Sequence, residues 1–106
     1  MVEKQTAGRD NLGEFAPKFA ELNDDVLFGE VWSREKELSP RDWSMITVSA
    51  LITKQAFEQL PAHMKLAKKH GVTKDEIVEV ITHLAFYVGW PNAWSAFNIA
   101  KQIWTD

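Results

Sequence analysis

Three histidines and no cysteine define the proton-moving and nucleophilic side chains of this 106-residue chain. The missing thiols exclude disulfides, zinc–thiolate and iron–sulfur sites, thiol nucleophiles and thiol redox catalysis. What remains is acid–base chemistry by imidazole and carboxylate, and a pKa near 6.5 leaves both forms of a histidine accessible at neutral pH. His63 follows Pro61 closely and has Glu58 nearby, a carboxylate able to orient it or act as a base, or simply a solvated acid. His83 lies four residues after Glu79. On a helix the two pair along one face, so His83 is either a second catalytic candidate or half of a structural ion pair. His70 follows two lysines at a helix end, where a cation complements the helix dipole. His63 and His70 are two turns apart and no two histidines have i, i+3 or i+4 spacing, which argues against a metal site within one helix. No glycine-rich phosphate loop or nucleophile elbow is present, so neither metal nor cofactor is expected.

Five tryptophans are many for so short a chain. Trp43, Phe57, Phe86, Tyr87, Trp90 and Trp94 could line an apolar pocket for a flat ring, with the Tyr87 hydroxyl as an oxyanion donor. The same residues at helical spacing also suit a core or a subunit interface.

The elements that must position these groups read as helices. Leu12, Phe15, Phe19 and Leu22 recur at helical spacing, interrupted by Gly13 and Pro17. Asn23-Asp24-Asp25 reads as the cap of a short second helix carrying Val26, Leu27, Val31 and Trp32. Ser39-Pro40 starts the next, whose run 45–52 is apolar on nearly every side and reads as fully buried. A helix around 56–70 ends at Gly71, and it either starts near Pro61 or kinks there. Thr73-Lys74-Asp75-Glu76 is a capping box. It opens the strongest periodic run, Ile77, Val80, Ile81, Leu84, Ala85 and Val88. Gly89-Trp90-Pro91 then starts a last helix with Ala93, Trp94, Phe97, Ala100, Ile103 and Trp104 as core positions. An all-α bundle of five or six helices in a single domain follows, with residues 1–10 flexible. Two helices, 45–52 and 91–104, carry more apolar surface than one small domain can hide, which favours a homo-oligomer.

The block Thr82-His83-Leu84-Ala85-Phe86-Tyr87-Val88-Gly89-Trp90-Pro91-Asn92-Ala93-Trp94, with Leu38-Ser39-Pro40-Arg41-Asp42 and His63 eight residues before Gly71-Val72-Thr73, resembles the carboxymuconolactone decarboxylase family, which also contains alkylhydroperoxidase D. The resemblance covers roughly residues 38–104. It implies an all-helical subunit assembled into trimers or hexamers around an antiparallel helix pair. The peroxidase branch carries Cys-x-x-Cys-x-x-x-His. Aligned on that spacing, its relay histidine falls on His63, its cysteines on Ala56 and Gln59, and its upstream glutamate near Ser44. Thiol peroxidase chemistry is therefore excluded. The decarboxylase branch keeps the histidine without the cysteines. It implies cofactor-free removal of CO2 from a small carboxylated lactone, with His63 as acid/base, Glu58 and His83 beside it, and Trp43, Phe57, Tyr87, Trp90 and Trp94 holding the ring. A non-catalytic helical oligomer that binds a small molecule or partner is the rival reading.

Composition agrees with a globular protein at 45% apolar and 25% charged residues, so disorder is not expected. A net charge of −3 argues against a general nucleic-acid binder. The polar N-terminus lacks an apolar h-region and no stretch approaches the ~20 residues of a membrane span, which reads as a cytoplasmic protein.

Overall fold

The structure, a computed structural model, describes residues 4–105. The expected flexibility of residues 1–10 falls partly on 1–3, outside the described residues, and Ala7 already belongs to the first helix. The described residues form six α-helices and one π-helix. None of these helices is long and apolar enough to cross a membrane. The chain forms two compact units, Met1–Pro40 and Arg41–Asp106.

In the first unit, α1 (Ala7–Leu12) and α2 (Pro17–Glu21) are separate, because Gly13 and Pro17 break what the apolar spacing alone would join. Phe15, in the break, is 91% exposed, so that spacing does not mark a core face within this chain. From Leu22 to Val31 the backbone winds as a π-helix, closed by an i→i+5 bond from Trp32 N to Leu27 O of 2.9 Å. Asp24 is therefore not the cap of a new helix. It is buried, and its carboxylate accepts hydrogen bonds from the Gly8 amide at 2.9 Å and the Arg9 amide at 3.0 Å. Those are first-turn amides of α1 that lack helical partners. Gly8 is required there, since a Cβ would lie 2.7 Å from Asp24 Oδ1. Burial works against the Asp24 charge, but hydrogen bonds from Asn23, Arg9 and Gly8 and the Arg9 guanidinium outweigh it and hold the carboxyl below the usual aspartate range.

In the second unit, α3 (Pro40–Lys54) begins on a proline that needs no amide partner. It buries one stripe, Ser44, Val48 and Ile52, while Ile46 remains exposed. The apolar run is thus one-sided in packing, not buried all round. Gln55 at φ 62° ends it. Helix α4 (Leu60–Lys69) starts next to Pro61, and its Leu60, Met64 and Ala67 are buried. Of the two sequence readings, the start at Pro61 is the observed one. Gly71 at φ 98° turns the chain, a conformation that suits glycine.

Helix α5 (Lys74–Val88) opens on the expected box: Glu76 N donates to Thr73 Oγ1 at 3.1 Å and Thr73 N donates to Glu76 Oε1 at 2.9 Å. Glu76 also pairs with Arg41 of α3. Gly89, at φ 98° and ψ 146°, is the only residue between α5 and α6 (Trp90–Ile103). Ile77, Ile81 and Ala85 of α5 and Ala93, Ala96 and Ala100 of α6 join α3 and α4 in one core. Trp104 closes it, its indole N–H donating 2.9 Å to Val72 O. Trp94, by contrast, is 64% exposed and not a core position of this chain.

Candidate functional site

His63 sits in the first turn of α4, on the flank of the buried stripe Leu60, Met64 and Ala67. The ring is half-buried and its Nδ1 is withdrawn from solvent. Desolvation disfavours the imidazolium and pushes the pKa below the usual 6.5. The resting ring is therefore neutral at pH 7. Glu58 lies in the turn before α4, exposed, and no hydrogen bond joins it to His63 among the described residues. Pro61 starts the helix between them, so the two are not one face of a continuous helix. Phe57, in the same turn, packs half-buried against the core.

Trp43 is half-buried on α3, and its indole N–H is buried without an acceptor among the described residues. A buried donor left unpaired costs free energy that a ligand acceptor could recover. Ser44, at the position aligned with the family's upstream glutamate, is 1% exposed. Its Oγ lies 2.9 Å from His70 Nδ1. His70 is therefore more than a dipole-complementing surface group, because it links the end of α4 to α3.

His83 is exposed on α5 and packs its ring against Tyr87, with centroids 4.9 Å apart. No hydrogen bond joins it to Glu79 among the described residues, so the expected Glu–His pair is replaced by a ring contact. One turn on, Phe86 meets Trp90 edge-to-face at 6.1 Å. Trp90 and Trp94, on successive turns of α6, face Thr82 and Ala85 of α5 across a hollow of about 250 Å³, with Ala93 and Phe97 completing its wall. Small residues on both helices, Ala85 and Ala93, leave the space that the indoles border.

The structure thus gathers Trp90 and Trp94 around one hollow and stacks His83 on Tyr87 nearby in sequence. It does not bring Glu58 onto His63, and His63, Trp43 and Phe57 do not line the Trp90–Trp94 hollow. Thr82 and Phe97 are lining residues that sequence reasoning passed over as a solvated and a core position. Ser44–His70 was also missed. A serine within the apolar run 45–52 and its flank was the available signal, because a buried hydroxyl needs a partner.

A family profile described as the carboxymuconolactone decarboxylase family matches residues 17–102. A 4-carboxymuconolactone decarboxylase of Acinetobacter baylyi is 32% identical over 97 residues, covering 92% of this chain and 72% of the relative. A nitrosuccinic acid decarboxylase of Metarhizium robertsii is 30% identical over 96 residues, covering 91% of this chain and 66% of the relative. A third relative, peroxisomal protein 2 of Schizosaccharomyces pombe, is 33% identical over 54 residues, 51% of this chain and 25% of its own length.

Proposed function

The chain belongs to the carboxymuconolactone decarboxylase family, and on that premise we propose that it is a cofactor-free carboxy-lyase acting on a small carboxylated lactone or related ring. The observation that carries this reading is the desolvated imidazole of His63. In such a reaction the bond between ring carbon and carboxylate carbon breaks and CO2 leaves. The electron pair passes into the conjugated carbonyl, and a proton must then be delivered to ring carbon.

His63 suits that delivery for an electrostatic reason. Burial keeps it neutral at rest, and an arriving substrate carboxylate supplies the opposite charge that favours its protonated form. Once CO2 has left, the negative charge sits on the dienolate, and the imidazolium in a desolvated setting is a strong acid toward it. Water restores the proton, so each turnover consumes one. The unpaired Trp43 N–H is a donor available to a carboxylate or developing oxyanion. Trp90 and Trp94 offer the flat apolar walls a ring needs. The exposed aromatics Phe86, Tyr87, Trp90 and Trp94 support assembly with further copies of the chain, as a homotrimer or homohexamer.

The test is CO2 release from 4-carboxymuconolactone by the purified protein and by His63→Gln. Loss of a positioned proton donor should lower kcat by about 10²–10⁴-fold. Unchanged turnover in His63→Gln removes His63 from the chemistry, and no release by the parent protein removes the reaction. The exposure of Glu58 favours a second reading, a non-catalytic oligomer that holds a small carboxylated ligand. Saturable binding of the lactone with no CO2 release identifies that case.

A further inference from the structure

A second cleft, of about 460 Å³, opens along α5 and α6, and neither His63, Trp90 nor Trp94 lines it. Its lining includes Ile77, Phe97, Ala100 and Trp104, of which Ile77, Ala100 and Trp104 are nearly inaccessible and so form its floor. Lys74 and Lys101 complete its wall from the two helices. Both lysines are exposed, and neither makes an ion pair or side-chain hydrogen bond among the described residues. The volume falls within the roughly 300–1,000 Å³ of small-ligand pockets.

Lys74 stands at the first position of α5, where a cation opposes the helix dipole. Helix stability therefore does not account for it. Two uncompensated ammonium groups beside a preformed apolar floor match one ligand chemistry, a carboxylate carried on an apolar body. Trp104 is held in place by its bond to Val72 O, so this wall needs no rearrangement to receive such a body. We infer that the α5–α6 cleft is a binding site for small apolar monocarboxylates, anchored by Lys74 and Lys101 and separate from the residues proposed for decarboxylation.

The full chain, labelled with ¹⁵N, is titrated with octanoate, with octanamide as the uncharged match. Saturable shifts of the Trp104 indole and the Ile77 and Lys101 amides are expected with octanoate, with binding at least several-fold weaker for octanamide. Lys74→Gln and Lys101→Gln should each weaken octanoate by about three- to fivefold, and added salt should weaken it further. Both substitutions are on the surface, and an unchanged spectrum away from the cleft confirms folding. Equal binding of octanamide, shifts centred elsewhere, or no saturable shift overturns the site. So does tighter binding of a hexaglutamate peptide than of octanoate to the same signals, which would assign the surface to an acidic protein partner.

Discussion

Two tryptophans of one helical segment offer a direct measure of how this fold is held. Trp104, 7% exposed, donates its indole N–H to Val72 O at 2.9 Å, tying the end of α6 to the turn between α4 and α5. Trp104→Phe keeps most of the ring but leaves a buried carbonyl without its donor, which costs about 1–3 kcal/mol. The smaller ring also leaves a void, adding about 1 kcal/mol. The sum, about 2–4 kcal/mol, is a large share of the roughly 5–15 kcal/mol that stabilises a typical domain. In a chain this short it should lower Tm by on the order of 10–20 °C. Trp94→Phe is the control, because Trp94 is mostly exposed and the change should stay within about 0.5 kcal/mol in dilute solution. Urea unfolding followed by circular dichroism, with m held constant, reads both values. A Trp104→Phe loss no larger than that of Trp94→Phe would refute the assignment of the Val72 bond as a tie of the second unit.

Further outcomes follow from the other polar contacts. Because burial holds the folded His63 pKa below 6.5, the unfolded chain binds more protons between the two values. Its contribution to stability is full above pH 6.5 and is lost as pH falls toward the lowered value. Unfolding free energies from about pH 5 to 8 should show this slope in the parent and a flatter one in His63→Gln, and parallel curves would contradict it. Thr73→Ala removes the acceptor for the Glu76 amide and should cost about 1 kcal/mol in urea unfolding. Asp24→Ala strips the acceptor from the Gly8 and Arg9 amides, so their hydrogen exchange should accelerate while that of α5 holds. The Asp24 contribution should be present above the ordinary carboxyl pKa of 3.8 and disappear as pH falls through its lowered value.

Where the chain's local chemistry determines its local structure, the sequence was a sufficient guide. The Thr73–Glu76 box and the run from Ile77 to Val88 were legible because cap, period and packing all agree. Pro61 was legible as a helix start for the same reason. Periodicity reports which side of a helix is apolar but not what covers it, so Ile46 and Trp94 read as buried and stand exposed. The stretch from Leu22 to Val31 was misread because a 3.6-residue period does not describe a π-helix. Its Asp24 serves a helix 16 residues earlier in the chain, not the turn it occupies. In the candidate site, the aromatic pair Trp90 and Trp94 could be read from spacing, and the half-burial of His63 from its place beside an apolar stripe. The Ser44–His70 link spans 26 residues, and no local pattern encodes it.

The single glycine between α5 and α6 has a consequence for any molecule that enters between them. With Gly89 as the whole elbow, Ala85 and Trp90 stand on rods whose relative angle is fixed by two backbone torsions and by the shared core beneath. A guest ring meets a slot already cut to width, so little ordering of the host accompanies its arrival. Selectivity there is set by thickness: a planar guest slides in, and a puckered or bulky one has to pry two anchored rods apart.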